Sequence, residues 1–179
     1  MEKSYKEYLQ HITTFVFDVD GVLTDGSVII NTEGELFRKM NIKDGFALKT
    51  AVDAKFNVCI ISGGTNEGVR KRLQGLGIKD IHLGAHHKTE ILSDYFSSNG
   101  IKSENVLYMG DDIPDLTSMQ MVGLPTCPQD AVPEIKSICK YISHKKGGEG
   151  AVRDVVEQVL KVQGKWMSNG NGIASAKYD

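Results

Sequence analysis

Residues 15–26 are Phe-Val-Phe-Asp-Val-Asp-Gly-Val-Leu-Thr-Asp-Gly, an apolar run that ends in two carboxylates separated by one residue. Aromatic and β-branched residues in such a short run predict a buried strand. Gly21 follows the second carboxylate and predicts a sharp turn of the backbone. This arrangement presents Asp18 as a nucleophile and Asp20 as a proton carrier at the end of a sheet. The stretch therefore indicates a phosphotransfer enzyme.

The composition of the 179-residue chain is typical of a globular protein, with 40% hydrophobic and 25% charged residues. A formal net charge of −2 provides no basic surface for nucleic acid or for an anionic membrane. Residues 1–11 are polar, and no apolar run reaches the ~18 residues of a membrane span, which predicts a cytoplasmic protein. We predict one domain over residues 1–165 and a flexible tail over residues 166–179. Three cysteines without metal-ligand spacing are expected to be reduced thiols: Cys59, Cys127 and Cys139.

Strand and helix patterns alternate along the chain. The predicted strands are 14–17, 57–61, 80–83, 106–109, 124–127 and 141–142. The predicted helices are 44–54, with Asp44 as N-cap, 67–76, 88–99, 115–122, 131–139 and 151–162. Residues 28–37 form two short apolar runs around a turn that contains Asn and Gly, which predicts a β-hairpin inserted after the first strand. The alternation predicts an α/β fold: a Rossmann-like parallel sheet with helices on both faces.

Polar side chains follow three of the predicted strands. Asp18 and Asp20 end the first strand, Ser62 ends the second, and residues 111–115 contain three aspartates directly after a later one. The carboxyl ends of parallel strands meet at one edge of a sheet, and ligands of such sheets bind there. We therefore expect these side chains to form one site.

The acidic residues predict a magnesium site. Carboxylates that meet at one edge repel each other unless a cation lies between them, and oxygen ligands favour Mg²⁺ over zinc. We expect Asp18 and Asp111 to bind the metal through their side chains and Asp20 through its backbone carbonyl. Asp112 and Asp115 are expected to bind metal-bound waters or to orient neighbouring groups.

Ser62 and Lys88 have the chemistry of a phosphate site. The Ser62 hydroxyl and the backbone N–H groups of the following glycines suit phosphate oxygens. Lys88 brings a positive charge to the same phosphate and to the nucleophile Asp18. Each feature alone has an ordinary structural explanation, such as a turn, a loop or acidic residues at a helix N-terminus. Their common order, each after a strand, favours catalysis.

This ordered set resembles the four motifs of the haloacid dehalogenase (HAD) superfamily of phosphatases. The first motif, DxD, matches Asp18 and Asp20; the second matches Ser62, the third Lys88, and the fourth, GDDxxD, residues 110–115. The resemblance implies a phosphoaspartate at Asp18, with Mg²⁺ bound throughout. Asp20 then protonates the leaving alcohol and later deprotonates the hydrolytic water. Only a hairpin and a helix fit between Asp20 and Ser62, so we expect a HAD-like fold with no cap domain.

Within this superfamily the chain resembles the capless 3-deoxy-D-manno-octulosonate (KDO) 8-phosphate phosphatases of lipopolysaccharide precursor synthesis, from about residue 13 to 165. Further similar blocks are residues 20–26, 41–45 and 147–153. The resemblance implies a small phosphorylated sugar acid as substrate and a homotetramer, whose barrel residues 28–37 build and whose neighbouring subunit closes the site. It implies the following substrate-binding residues: Asp20, Asn41, Ile42, Lys43, Asp44, Gly45, Lys49, Gly64, Arg72 and Lys88.

Gly64 departs from the family pattern, because many members carry Arg after the Ser/Thr-Gly pair. The charge that would meet the substrate's carboxylate there is absent, which leaves open a nine-carbon 2-keto-3-deoxy sugar acid 9-phosphate of the nonulosonate type as substrate. A signalling receiver module is a second alternative, but its phospho-accepting Asp lies on a later strand than its acidic pair. A non-catalytic relative is a third, and the presence of Asp18, Lys88 and Asp111 disfavours it.

Overall fold

A six-stranded parallel sheet forms the centre of the protein in the computed structural model, which describes residues 4–167. The eight strands in this range are β1 (Thr14–Phe17), β2 (Ile29–Ile30), β3 (Leu36–Phe37), β4 (Asn57–Ser62), β5 (Asp80–Leu83), β6 (Val106–Met109), β7 (Leu124–Cys127) and β8 (Tyr141–Ile142). The seven α-helices in the same range are α1 (Tyr5–Leu9), α2 (Ile42–Asp53), α3 (Glu67–Gly75), α4 (Lys88–Asn99), α5 (Leu116–Met119), α6 (Pro133–Ile138) and α7 (Ala151–Val162). The order of the strands is β5-β4-β1-β6-β7-β8, so β1 lies between β4 and β6.

The sheet is covered on both faces, as the sequence predicts. Successive side chains of β1 alternate between two cores: Phe15 and Phe17 lie on one face and Val16 on the other. Apolar residues of α2, α3 and α7 fill the first core, and those of α4, α5 and α6 fill the second. Burial on both faces explains why β1 and β6 lack the alternating polar residues of a half-exposed strand, although Thr14 and Tyr108 carry hydroxyl groups.

No cap domain lies within residues 4–167. A hairpin and α2 are the elements between β1 and β4, and α3 and β5 lie between β4 and α4. The hairpin pairs Ile29 with Phe37 and Ile30 with Leu36 in an antiparallel register. Its apolar side chains remain exposed, up to 72% for Ile29.

Several helix boundaries differ from the predicted ones. Helix α2 begins at Ile42, because the side chain of Asn41 accepts a hydrogen bond from the Lys43 N–H and caps the helix. Helix α6 begins at Pro133, because the residue before a proline avoids the helical conformation. The predicted 115–122 helix is a 3₁₀ turn at Ile113–Asp115 followed by the short α5.

Both ends of the described range add contacts that the sequence analysis missed. Helix α1 was not predicted, although Ser4 and Glu7 have the spacing of a capping box and the Ser4 N–H donates to the Glu7 carboxylate at 3.1 Å. Trp166, which was assigned to the flexible tail, packs edge-on against Phe46, with 5.9 Å between ring centroids. The rest of the predicted tail, residues 168–179, lies outside the described residues. Across residues 4–167 every helix is too short or too polar to span a bilayer.

Asp44 is predicted to be the N-cap of α2 but lies inside this helix, where it has a different structural role. It is 1% exposed, and its carboxylate accepts a hydrogen bond from the Arg153 N–H at 2.8 Å, in the first turn of α7. The residue at the N-cap position of α7 is Gly150, which has no side chain to cap the helix. Asp44 therefore caps α7 from α2. Burial raises the pKa of Asp44 to about 6, because only hydrogen bonds to backbone N–H groups and the Arg153 charge oppose the loss of solvation.

We predict that Asp44→Ala lowers the free energy of unfolding by roughly 1 kcal/mol, because α7 loses its capping acceptor. Asp44→Asn keeps an acceptor oxygen for the Arg153 N–H, so this variant should lose less stability than Asp44→Ala. Urea unfolding at pH 7 measures both variants. Equal destabilisation by Asn and by Ala would contradict the capping role.

Candidate active site

The loop of residues 18–26 begins directly after β1 and carries the DxD motif. The N–H of Asp18 donates to the Met109 carbonyl at 3.2 Å, which continues the hydrogen bonding between β1 and β6. The Val19 carbonyl then accepts from the N–H groups of residues 22–24, which closes the loop into a tight turn. The loop therefore presents the Asp18 carboxylate, 12% exposed, at the carboxyl edge of the sheet.

Gly21 lets this loop approach Asp111. Its φ of +83° lies in the left-handed region that favours glycine. A Cβ atom at this position would lie 1.9 Å from Oδ2 of Asp111. A side chain here would therefore force Asp111 away from the loop, so Gly21 has a steric role beyond the turn that the sequence predicts.

Three carboxylates meet at this edge. Oxygen atoms of Asp18, Asp111 and Asp115 lie within 4.8 Å of one another, a grouping that suits a metal ion. Burial, followed by the charge of Asp115, raises the pKa of Asp18 to about 7. Burial and the charge of Asp18 raise the pKa of Asp111 to about 7 in the same way. The protein alone thus leaves negative charge here incompletely compensated.

Lys88 forms ion pairs with two of these carboxylates, Asp18 and Asp115. Its side chain is 6% exposed, and Nζ lies 2.9 Å from Oδ2 of Asp18 and 2.8 Å from Oδ1 of Asp115. Burial opposes the charged form, but the two carboxylates outweigh burial and raise the pKa of Lys88 above its usual value. Lys88 is therefore a fixed positive charge beside Asp18, at the N-terminus of α4.

The Asp115 carboxylate accepts hydrogen bonds from several residues of the site. Besides Lys88, its carboxylate accepts from the Tyr108 hydroxyl at 2.9 Å and from the Asp111 N–H at 3.3 Å. The residue is completely buried, so these donors replace its hydration. Tyr108 was missed by the sequence analysis; the signal for it is a hydroxyl in the otherwise apolar β6. Asp112 is exposed and its carboxylate accepts from the Ile113 N–H at 2.8 Å, so it lies outside the carboxylate group.

Ser62 and Gly64 lie at the end of β4, next to β1. Ser62 is 2% exposed, and its Oγ accepts from the Gly64 N–H at 3.3 Å. A Cβ atom on Gly64 would lie 3.3 Å from Oδ2 of Asp20, which shows that the two motifs adjoin. The predicted phosphate-binding hydroxyl is therefore placed beside the predicted proton carrier.

Arg38 is the charged residue of this site that the sequence analysis missed. It directly follows β3, and its guanidinium binds both oxygens of Asp20, with Nε–Oδ1 2.7 Å and Nη2–Oδ2 3.0 Å. The side chain of Arg38 is 8% exposed and that of Asp20 is 37% exposed. The hydrogen bonds to Asp20 raise the pKa of Arg38 further above its usual value. The two residues are 18 positions apart in the sequence, on either side of the hairpin, so no local sequence pattern predicts their contact.

The predicted substrate-binding residues of α2 and α3 make contacts outside the group of three carboxylates. Asn41 donates to the Gly148 carbonyl at 3.1 Å, and the Gly148 N–H donates to the Val22 carbonyl at 2.9 Å. Asn41 is thereby connected to the loop of residues 18–26. A Cβ on Gly45 would lie 2.8 Å from Nη2 of Arg72, so these two residues are in contact.

The remaining members of that predicted set have individual surroundings. Ile42 and Lys43 are exposed at the start of α2. Lys49 forms an ion pair with Asp53 on the next turn of the same helix, at 2.5 and 2.7 Å. Asp44 is buried against α7, as described above.

The comparisons with known proteins agree with this geometry. A family model of haloacid dehalogenase-like hydrolases matches residues 78–155. The chain is 36% identical over 156 residues to the 3-deoxy-D-manno-octulosonate 8-phosphate phosphatase of Salmonella typhi, which covers 87% of this chain and 83% of that protein.

Solved structures give the same result. The Moraxella catarrhalis 3-deoxy-D-manno-octulosonate 8-phosphate phosphatase, in complex with a magnesium ion, a phosphate ion and KDO, superposes with a TM-score of 0.87 at 33% identity, over 90% of this chain and 93% of that one. A HAD superfamily (subfamily III A) hydrolase from Legionella pneumophila superposes with a TM-score of 0.92 at 31% identity, over 97% and 95% of the two chains. This protein therefore belongs to the 3-deoxy-D-manno-octulosonate 8-phosphate phosphatase family of HAD-like phosphoric monoester hydrolases.

Proposed function

We propose that this protein is a Mg²⁺-dependent phosphatase that hydrolyses KDO 8-phosphate to KDO and phosphate in lipopolysaccharide precursor synthesis. The observation that carries the proposal is the carboxylate of Asp18, held 2.9 Å from Lys88 beside a second acidic ligand, Asp111. The magnesium, phosphate and KDO bound by the Moraxella catarrhalis relative support both the metal and the substrate. The relatives do not favour the nine-carbon substrate.

The residues of the site can perform two successive displacements. Asp18 attacks phosphorus, the bond from phosphorus to the sugar oxygen breaks, and Asp20 gives its proton to the leaving alcohol. Asp20 then takes a proton from water, which attacks the phosphoaspartate and releases phosphate and Asp18. Each oxygen of Asp20 that accepts from Arg38 keeps a second lone pair for this proton. Lys88 and Ser62 bind phosphate oxygens in both steps.

The donor set fits Mg²⁺. Asp18 and Asp111 would bind it through their side chains and Asp20 through its backbone carbonyl. Negatively charged oxygen ligands are those that a hard cation such as Mg²⁺ prefers. When bound, Mg²⁺ supplies positive charge that offsets these carboxylates and the substrate phosphate. Asp115 is occupied by Lys88, Tyr108 and the Asp111 N–H, so it orients its neighbours, and Asp112 remains a residue proposed to bind metal-bound water.

The sugar part of the substrate is proposed to contact a group of residues around α2. Arg72 of α3, beside Gly45 of α2, offers a guanidinium to the sugar acid. The other proposed contacts come from α2 and its N-cap: Asn41, Ile42, Lys43 and Lys49. Asp44 contributes indirectly, because it holds α7 in place.

The hairpin supports assembly into a homotetramer in which a neighbouring subunit closes the site. Its four strand residues are 38–72% exposed although all are large and apolar: Ile29, Ile30, Leu36 and Phe37. Apolar strands of this kind are normally covered by another surface, and a second copy of the same hairpin extends the pairing. The three cysteines are free thiols, which supports a cytoplasmic location.

Asp18→Asn should lower Mg²⁺-dependent phosphate release by more than about 10³-fold, because the amide is a poor nucleophile. The wild type should prefer KDO 8-phosphate to a nine-carbon 9-phosphate by at least about tenfold in kcat/KM. Asp94→Asn, the same change at an exposed position of α4, serves as the control. Retained activity in Asp18→Asn would contradict the mechanism, and equal rates on both substrates would contradict the assignment of the substrate.

Mg²⁺ should stabilise the protein more at pH 8 than at pH 5. Asp18 and Asp111 have folded-state pKa values of about 7, above the ordinary 3.8. Between these two pH values the metal-free folded state therefore binds more protons than the unfolded state. Stability without metal therefore falls as pH rises from about 4 to about 7, and metal binding requires the deprotonated carboxylates. Thermal unfolding with and without MgCl₂ measures the shift in Tm. Asp111→Asn should remove most of this shift; an undiminished shift would place the metal elsewhere.

The double change Ile29→Lys and Phe37→Glu should dissociate the assembly. The two residues are opposite each other in the hairpin, so the new ion pair preserves the turn while it removes one apolar face. Size-exclusion chromatography with light scattering gives the mass of each form. Val162→Lys, at an exposed apolar position of α7, should leave the mass unchanged. An intact tetramer in the hairpin variant would refute the proposed interface.

A further inference from the structure

We propose that Arg38 is a substrate-binding residue that recognises the carboxylate of the sugar-acid substrate. The inference rests on the proposed function and adds a specificity-determining residue to it. Arg38 follows directly after the hairpin strand β3, and its guanidinium lies beside Gly64 and Asp20. Arg38 thus brings a positive charge next to Gly64, the position at which many family members carry Arg.

The guanidinium is fixed by Asp20 and still has donors to offer. Of its five N–H groups, two donate to Asp20 and one to the Leu36 carbonyl at 3.4 Å. Within residues 4–167 the remaining two have no protein acceptor. The side chain is only 8% exposed, so solvent reaches little of it. Two N–H groups without a protein acceptor are free to donate to an incoming anion.

Gly64 makes room for this guanidinium inside the site. A Cβ atom on Gly64 would lie 3.3 Å from Nη2 of Arg38 and 3.7 Å from Oγ of Ser62. The charged end of Arg38 and the hydroxyl proposed to bind phosphate therefore adjoin the same point. A larger residue at 64 would compete with Arg38 for that space.

The geometry favours a carboxylate over the phosphate as the anion. Lys88 and Ser62 are the residues proposed to bind the phosphate, and Lys88 lies next to Asp18. Arg38 presents a planar fork of donors, which binds the carboxylate of Asp20 through two oxygens. Such a fork matches a phosphate as well, so the separate residues proposed for the phosphate decide between the two anions. A sugar acid with a phosphate and a carboxylate then meets a separate cation for each group.

Binding to the full-length Asp18→Asn protein with Mg²⁺, measured by isothermal titration calorimetry, tests the proposal without turnover. The ligands are KDO 8-phosphate and ribose 5-phosphate, which has no carboxylate. Adding Arg38→Met should weaken binding of KDO 8-phosphate by roughly 10- to 100-fold and that of ribose 5-phosphate by less than about threefold. Arg38→Lys should restore part of the affinity, because it keeps the charge but not the fork. Lys39→Met, on an exposed neighbour that pairs with Asp25, should change neither Kd.

The outcomes separate the two proposals. Equal weakening of both ligands, or of neither, overturns the assignment of Arg38 to the carboxylate, as does equal affinity of the unaltered site for both ligands. Arg38→Lys retains a charged partner for Asp20 and decides the question if the methionine variant unfolds at a lower temperature. Failure of the proposed function appears elsewhere, as absence of phosphate release from KDO 8-phosphate by the wild type.

Discussion

One buried lysine shares its charge among three carboxylates, and the rest of the site depends on this imbalance. Lys88 contacts Asp18 and Asp115 directly, while Asp111 completes the acidic group. Burial disfavours the charged forms of Asp18 and Asp111, and one positive charge does not neutralise three negative ones, so the pKa values of both carboxyl groups rise. The balance is restored by protons at low pH and by a divalent cation at higher pH. The need for a metal is therefore a property of the folded chain before any substrate binds.

The fold maintains this imbalance because the strands fix the positions of the charges. Asp18 follows β1, and Asp111 and Asp115 follow β6, which is hydrogen-bonded to β1. Lys88 begins α4, whose apolar residues pack into the same core as Tyr108. Relaxation by moving the charges apart would break the hydrogen bonds of the sheet or expose this core.

The sequence predicts those parts of the structure that depend on local patterns. Strand β1 and helix α7 occur at the predicted residues, because continuous apolar runs and 3.6-residue periodicity are local signals. The positions of Asp18, Lys88 and Asp111 follow from the rule that parallel strands end at one edge. The sequence could not distinguish Asp112 from Asp115, since the motif does not show which aspartate points inward. The contacts of Asp44 with Arg153 and of Arg38 with Asp20 were not predicted for a related reason. Tertiary packing, and no local sequence pattern, determines these pairs.

Arg38 joins two parts of the molecule that otherwise have separate tasks. It is bonded to Asp20 at one end, and its backbone leaves the hairpin directly after Phe37. If the hairpin is the surface through which copies of the chain assemble, subunit contacts also hold the backbone that carries Arg38. Dilution below the dissociation constant of the assembly would then loosen Arg38 while Asp18 and Lys88 stay fixed by the sheet. Discrimination between acidic and neutral sugar phosphates would depend on protein concentration, although the rate of the chemical step would not.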